Sequence, residues 1–447
     1  MTSIPVRRVN TRASVAALLS FLFPGLGQAY NGQVLLAWAL AIPAALIAVG
    51  VGLVLLLVGS GILSRLFDIR FLVGLIVLNL ALLAWRLVAI LQAHLQLEPI
   101  SLRRWTGWMT AVLVTVTLAM HVLPTYWAAK AIDTINTVSG PSDRGPVGGP
   151  NGSGLPHPSD NPDVMQGERV NVLLVGVDSA PNRTTELTDT MMVVSLDPDG
   201  RTSAMVSIPR DLYGVPLPDG RFFNAKLNSL MAYAGRRPDE FPLGGVGTLK
   251  ATIGDLLGVR IHYFAAVSLV GFMQAIDAVG GVEVTVERAI SDPTYSDVNG
   301  HRVGFFLQPG TYHMESELAL AYVRSRKGIG DNDFTRADRQ QQLLEALRAK
   351  LTAGNLVLAL PGLLDAVKNT IATDVPSDRM PDLAQAVQDA DMSNVRRIVL
   401  QPPDYMTADP YSAAGYILIP DLEAIRAIGE ELLGAPSSTP PRSTDPS

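Results

Sequence analysis

Residues Val170–Ser179 read VNVLLVGVDS and Thr188–Gly214 read TDTMMVVSLDPDGRTSAMVSIPRDLYG. Two apolar runs in the second stretch, Thr190–Leu196 and Thr202–Ile208, are separated by Asp197-Pro198-Asp199-Gly200. Proline and glycine between acidic residues are strong turn formers, so the pair predicts a β-hairpin. Val170–Val177 is apolar almost throughout, as expected of a strand covered on both faces. Asp178, Asp189, Arg210 and Asp211 fall where these runs begin or end. Strand ends of open α/β sheets are where ligands bind. Carboxylates hold a hard divalent cation and arginine holds phosphate oxygens, so these residue types point to a cation-plus-phosphate site. Taken singly, each would more often be a solvated strand end.

Composition narrows the possibilities. The chain has 447 residues, enough for two or three domains, and 48% of them are hydrophobic. The apolar excess sits in the first third, which a membrane portion explains. A net charge of −6 gives no electrostatic footprint for nucleic acid. The absence of cysteine rules out disulfides, thiolate zinc sites and a cysteine nucleophile. The six histidines are scattered, and no GxSxG, HExxH or P-loop pattern occurs. Gly244-Gly245-Val246-Gly247 follows no strand and reads as a helix start.

Three segments, 34–58, 71–91 and 105–123, approach or exceed the roughly 20 apolar residues that a spanning helix needs. Ala13–Phe23, broken by Pro24-Gly25-Leu26-Gly27, is too short to span and reads as an interfacial or re-entrant helix. Arg86 is the only charge in the three spans and is expected to snorkel. Trp105, Trp108, Tyr126 and Trp127 sit where interfacial aromatic belts belong. Arg7, Arg8, Arg12 and the Arg103-Arg104 pair favour a cytoplasmic N-terminus, with everything after Tyr126 outside; Arg65 and Arg70 count against this. A span at Ala13–Tyr30 would invert the orientation. Residues 1–137 are therefore expected to be an all-α transmembrane region. Residues 138–168, rich in Gly, Pro, Ser, Asn and Asp, form a flexible linker, 169–434 one soluble domain and 435–447 a polar tail.

Within the soluble domain, strands and helices alternate, which predicts an α/β/α sandwich with a central mixed sheet. Helices are expected over Leu227–Ala234, Val246–Leu257, Val270–Val279, Glu315–Tyr322, Phe334–Leu351, Leu356–Ile371, Met380–Asp389 and Pro420–Leu433. Ile261–Ser268, Val282–Val286 and Val395–Leu400 are read as strands, and Ser291–Gly300 as loop. On the Phe334–Leu351 helix, Arg336, Gln340, Leu343, Leu347 and Leu351 share one face. Its end is apolar and packs on the sheet, so Arg336 and Gln340 at its beginning point inward. A buried arginine needs a counter-charge, supplied either by Asp333 or Asp338, the favoured reading, or by a bound phosphate. Just upstream, Arg324, Arg326 and Lys327 offer three cations in four residues. If the backbone is extended there, Arg324 and Arg326 project to one side and can clamp a diphosphate; a solvated basic turn is the commoner case. Lys226 is weighed the same way.

LLVGVDS, TDTMMVVSLDP, SIPRDLY, NAKLNSLMAYAG, LAYVRSRK and DFTRADRQQQ, in this order over Val170–Leu351, resemble the LytR-CpsA-Psr family. Members are membrane-anchored bacterial enzymes with an extracytoplasmic α/β/α domain. They transfer glycopolymers from a polyprenyl-pyrophosphate carrier to peptidoglycan, using Mg²⁺. The resemblance implies that Asp178 and Asp189 hold the metal and that Arg210 meets the pyrophosphate and helps activate the acceptor. It places Arg324, Arg326, Arg336 and Gln340, with Lys226 nearby, around the head group. Asp178, Asp189 and Arg210 are then the catalytic set. Mg²⁺ and arginines stabilise a diphosphate leaving group without covalent catalysis. The expected electrophile is the anomeric carbon of the first sugar, and the nucleophile a wall sugar hydroxyl. Leu249, Ile253, Leu256, Leu257, Phe264, Val267, Phe272, Met273 and Ile276 are candidates to line a groove for the polyprenyl tail. The family usually has an arginine two residues before its second metal aspartate, as R-x-D-T, and Leu187 stands there; Arg183, in the same loop, is a substitute from another backbone position. That departure bears on transfer more than on lipid binding, so a transferase, a polyprenyl-pyrophosphate hydrolase and a non-catalytic lipid-carrier binder all stay open. Ser20–Gln33, SFLFPGLGQAYNGQ, also resembles the opening of small bacterial membrane modules of the TM2 type.

Overall fold

The computed structural model describes residues 12–58, 62–96, 103–139, 169–178, 187–196, 203–297, 300–328, 330–350, 362–364, 368, 371–389 and 395–434. The Asp197–Gly200 turn, most of the linker, Arg183, most of the helix expected at 356–371 and the polar tail lie outside these residues. The chain divides into two compact units, Met1–Asp133 and Thr134–Ser447.

The first unit is helical: α1 (Arg12–Leu22), α2 (Leu26–Tyr30), α3 (Val34–Val58), α4 (Ile62–Arg65), α5 (Ile69–Leu95) and α6 (Arg103–Val138). Three helices, within Val34–Leu53, Ile69–Leu95 and Gly107–Val138, are long and apolar enough to cross a membrane. The helix that carries the expected third span, 105–123, continues beyond it. Helix α6 runs through Pro124 for 36 residues, about 54 Å at ~1.5 Å per residue, well beyond the ~30 Å of a hydrocarbon core.

The short helix α1 lies against α5, with Ala13, Ala16, Ala17, Ala89, Ile90 and Ala93 all fully buried. Small residues let the backbones meet. A Cβ on Gly27 would sit 2.0 Å from the Ala16 carbonyl oxygen, so only glycine fits there. Behind it Gln28 is buried, accepting from Ser20 Oγ at 3.1 Å and donating to the Ala89 carbonyl at 2.8 Å. Arg86, expected to snorkel, meets the end of α1. Its Nη2 donates to the Phe21 carbonyl at 3.0 Å, and the guanidinium lies over the Phe21 ring. The last carbonyls of a helix have no partner within the helix and attract a cation.

The second unit begins with β1 (Val170–Asp178), β2 (Leu187–Leu196), β3 (Ala204–Ser207), β4 (Tyr213–Pro216) and β5 (Phe222–Lys226). After α7 (Leu230–Gly235) and α8 (Gly244–Leu257) come β6 (Tyr263–Ser268), α9 (Leu269–Ala278), β7 (Val282–Val286), β8 (Ile290–Asp292), β9 (Phe305–Leu307) and β10 (Gly310–Met314). The rest is α10 (Ser316–Arg324), α11 (Asp333–Lys350), β11 (Ile371–Thr373), α12 (Met380–Asp389), β12 (Arg396–Val399), β13 (Met406–Ser412), β14 (Gly415–Pro420) and α13 (Leu422–Leu433).

The sheet runs β11-β6-β1-β2-β3-β12. β1 pairs antiparallel with β2 and parallel with β6, so the sheet is mixed. The unit is an α/β/α sandwich. Leu173, Val175 and Val177 of β1 pack into one cluster with Leu230 of α7, Leu249, Ile253 and Leu257 of α8 and Ile425 and Leu432 of α13. On the other face, Gln341 of α11 reaches Ser207 of β3, and Val172 packs with Met380 and Leu383 of α12. A separate cluster gathers β7, β10, β8, β9, α9 and α10 beside the sheet. The hairpins β4–β5, β8–β9 and β13–β14 carry no clear alternation in sequence and are found only in the structure.

Candidate active site

The site is built at the end of the β1–β2 pair. Gly176 faces Thr190 whereas Val177 faces Thr188, so the register slips and Asp189 is the extra residue of a β-bulge. Bulges re-aim a side chain next to a functional site. Gly176 permits the close approach, because a Cβ there would lie 3.0 Å from Thr190 Cβ. The bulge turns Asp189 toward Arg210, whose Nη1 donates to Asp189 Oδ1 at 2.7 Å. Arg210 follows β3 on the Ile208-Pro209 run, so its placement depends on where that inner strand ends.

Helix α11 closes the site from the other side. Arg210 Nε donates to Asp333 Oδ2 at 3.2 Å, and Arg336 Nη1 lies 3.3 Å and Arg326 Nη1 3.6 Å from Asp333 Oδ1. Arg336 is 7% exposed. Its Nη2 donates to the Asp189 carbonyl at 3.0 Å, while its Nε is buried without a partner. Three guanidinium groups therefore share Asp333, and two of them also touch Asp189. Burial would lower the Arg210 guanidinium, but Asp189, Asp333 and Asp211 outweigh it and hold it above the usual arginine range. For Arg336 the balance reverses: burial, aided by the neighbouring Arg210, wins over Asp333 and holds it below that range. A buried cation under such pressure is relieved by an anion.

Asp189, Arg210, Asp333, Arg336 and Gln340 line a small open cleft with Phe334 and Pro209. Gln340 Nε2 donates to the Val323 carbonyl at 3.3 Å. Four predicted residues are not in this lining: Arg326 joins it through Asp333, Asp178 lies at the end of β1, and Lys226 and Arg324 stand apart. Lys226 Nζ is tied to Asp211 Oδ1 at 2.8 Å, and Asp211 lies 3.7 Å from Arg210 Nε, so the lysine adjoins the cleft through a carboxylate. Arg324 is the last residue of α10, so the extended pairing with Arg326 is not what forms; helix geometry sends it toward the Tyr295 phenol. Its Nη1 is buried without a partner.

Sequence reading missed the residues that brace this cluster. Arg339 is buried, pairs with Asp331 at 3.1 Å and donates to the Ser325 carbonyl. Gln341, fully buried, donates to Ser207 Oγ at 2.9 Å and the Ile398 carbonyl at 3.1 Å, fixing α11 to the sheet. The DRQQQ run was the available signal, since so many polar residues in succession on a helix packed against a sheet leave some buried and in need of partners. Of the proposed groove residues, Leu249, Ile253, Leu256, Leu257 and Phe264 belong to the main core. Phe272 and Met273 are partly buried against the second cluster, with Ile276 inside it.

For the expected Mg²⁺, Asp178 pairs with Leu187, two residues before Asp189, so both aspartates sit at the same end of adjacent strands. No group of three His, Cys, Asp or Glu side chains gathers for a metal among the described residues. Two carboxylates, completed by water and substrate phosphate, are a donor set that Mg²⁺ accepts, and a carboxylate bonded to Arg210 through one oxygen keeps lone pairs for an ion.

The profile of the LytR_cpsA_psr family matches residues 153–428. The chain belongs to that family. It is 27% identical over 319 residues to a Halalkalibacterium halodurans protein named polyisoprenyl-teichoic acid–peptidoglycan teichoic acid transferase TagU, covering 71% of this chain and 94% of that one. A Bacillus cereus protein of the same name is 29% identical over 258 residues, covering 58% and 76%. Among solved structures, protein gbs0355 of Streptococcus agalactiae superposes with a TM-score of 0.49 at 25% identity, covering 60% of this chain and 89% of its own. B. subtilis TagV does so with a TM-score of 0.46 at 25% identity, covering 60% and 97%. The family match extends on both sides of the Val170–Leu351 motifs and takes in β12 to β14.

Proposed function

We propose that this protein transfers a glycopolymer from a polyprenyl-pyrophosphate carrier to a peptidoglycan hydroxyl, on the outer side of the membrane that its helical region spans. One observation carries this reading: Arg210, Arg326 and Arg336 converge on a shared carboxylate at an open cleft, with an unpartnered Nε on Arg336. Such a cluster suits a diphosphate, whose oxygens accept from several guanidinium groups at once. The names of the relatives supply the substrate class, a polyisoprenyl-linked teichoic acid as donor and peptidoglycan as acceptor.

Because the guanidinium groups face phosphate oxygens, charge developing on phosphorus is what they stabilise best. We therefore place the attack at the sugar-side phosphorus rather than at the anomeric carbon. The acceptor hydroxyl oxygen bonds to that phosphorus, the bridging P–O bond breaks, polyprenyl phosphate leaves and a phosphodiester joins polymer to wall. With Asp189 kept for the metal, Asp333 is the cleft carboxylate able to take the hydroxyl proton. Arg210, between them, holds the diphosphate. Asp178 and Asp189 would hold Mg²⁺, which supplies further charge neutralisation for the diphosphate when bound. Leu187 removes one cation from this end of the site, and Arg336 and Arg326 carry the load.

The full chain in detergent, given polyprenyl-pyrophosphate-linked glycopolymer, peptidoglycan fragments and Mg²⁺, tests this. Polymer joined to the fragment with release of a monophosphate carrier is expected, with loss of joining when Mg²⁺ is chelated. Free polymer would show hydrolysis instead, unaltered co-purifying lipid a non-catalytic binder, and a released diphosphate carrier attack at carbon.

A further inference from the structure

The basic turn after α10 is held by a carboxylate outside the cleft. Asp292, the last residue of β8, is 2% exposed and accepts five hydrogen bonds. Oδ1 takes the Thr294 N–H at 3.0 Å and the Thr294 hydroxyl at 2.7 Å. Oδ2 takes the Ser325 hydroxyl at 3.1 Å, the Arg326 N–H at 3.3 Å and the Lys327 N–H at 3.1 Å. Burial alone would push this carboxyl up, but the Thr294, Lys327 and Ser325 hydrogen bonds outweigh it and hold the pKa below the usual carboxylate range.

The same hairpin reinforces the turn twice more. Arg324 sits beside the Tyr295 phenol and acts on it electrostatically, and Gly328 lies so close to the Ser291 carbonyl that a Cβ would come within 2.7 Å. From the opposite side Arg339 holds the Ser325 carbonyl. Residues 324–328 are thus pinned between the β8–β9 hairpin and α11, and Arg326 emerges from this turn toward Asp333.

We infer that Asp292 is a positioning residue for the carrier's diphosphate, acting through the Ser325–Lys327 backbone to fix Arg326 at the cleft. The inference rests on the diphosphate reading above. A carboxylate is required because both ends of the group must accept: an amide placed there turns its own N–H groups toward either the Arg326 and Lys327 N–H groups or the Thr294 N–H. A buried donor left unpaired in this way releases the turn. Preorganised contacts lose affinity when their support loosens, even though no contacting atom is removed.

The test is Asp292→Asn in the full chain in detergent, with inorganic pyrophosphate binding measured by calorimetry well below the melting temperature. The dissociation constant should rise about tenfold, as for loss of roughly one charge-assisted hydrogen bond. With the lipid-linked substrate, KM should rise by a similar factor while kcat stays within about threefold, a split that general destabilisation does not produce. Thr294→Val, which deletes one donor to Oδ1, should give a smaller loss in the same direction, and Thr294→Ser, which keeps the hydroxyl, should bind like the wild type. Thr294 serves as the second route should Asp292→Asn fail to fold. Unchanged pyrophosphate binding in a folded Asp292→Asn or Thr294→Val chain overturns the inference and leaves the diphosphate reading standing. A wild-type chain that binds no pyrophosphate overturns both.

Discussion

Replacing Asp333 with asparagine should weaken the fold and strengthen anion binding at the same time. Asp333 lies 3.2 Å from Arg210, 3.3 Å from Arg336 and 3.6 Å from Arg326. Asparagine keeps the size and one acceptor oxygen but removes the charge. Breaking a fully buried ion pair costs about 3–5 kcal/mol. Here the Asp333 side chain is 25% exposed and Arg336 keeps the Asp189 carbonyl, so about 1–2 kcal/mol is expected. For a unit of this size that is roughly 2–4 °C in melting temperature. The opposite effect falls on the ligand. At an effective dielectric of ~20 and a separation of ~6 Å, carboxylate and phosphate repel by roughly 2–3 kcal/mol per unit charge. Screening in an open cleft reduces this to about 1 kcal/mol, a gain of about five- to tenfold in pyrophosphate affinity. Calorimetry and thermal unfolding, with and without inorganic pyrophosphate at low salt, measure both arms. Pyrophosphate should raise the melting temperature of Asp333→Asn more than that of the wild type. Weaker binding by the variant, or equal ligand stabilisation of both chains, would falsify the claim that these guanidinium groups are short of negative charge.

Three further outcomes follow from the geometry. Arg210→Lys keeps a cation but cannot meet Asp189 and Asp333 together as the guanidinium fork does; kcat for transfer should fall at least ~100-fold with the melting temperature changed by only a few degrees, as judged by steady-state kinetics alongside thermal unfolding. His262 accepts the Asn171 N–H at Nδ1 at 2.9 Å, and burial, then Arg260 and Lys250, push its pKa down to about 4. Its folded pKa is below the unfolded value of ~6.5, so its contribution is fully present above about pH 6.5 and lost as pH falls toward 4; His262→Asn, whose oxygen can take the same N–H, should flatten denaturant-unfolding stability across that window. In the helical unit, Gly27→Ala forces a methyl onto the Ala16 carbonyl, and a cost of about 1–3 kcal/mol should appear as faster proteolysis between α1 and α3 in detergent.

Much of this protein was legible in its sequence because the deciding signals are local. Runs such as Val34–Val58 and Val170–Val177 declare spans and strands through side-chain hydrophobicity alone, and the order of short motifs from LLVGVDS to DFTRADRQQQ carries the family. The helical face bearing Arg336 was also readable, since a period of 3.6 places it above Leu343. Other features were not readable. An extended segment would have set Arg324 beside Arg326, and a solvated basic turn was the alternative, yet α10 runs on to include Arg324. Residue-level cues also gave no sign of the Phe21 carbonyl, 65 residues away, that Arg86 meets.

Only the tertiary structure decided which charges meet. Arg210 and its partner Asp333 are 123 residues apart, and Arg336 and the Asp189 carbonyl are 147 apart. Nothing in local composition distinguishes Asp333 from Asp338, or marks Asp292 as the support of a turn more than thirty residues later. Hydrophobic periodicity is a property of neighbours along the chain, and so a sequence states it. Pairing of buried charge is settled by which strand ends and helix starts the core brings together, and by a one-residue bulge that turns Asp189 toward them.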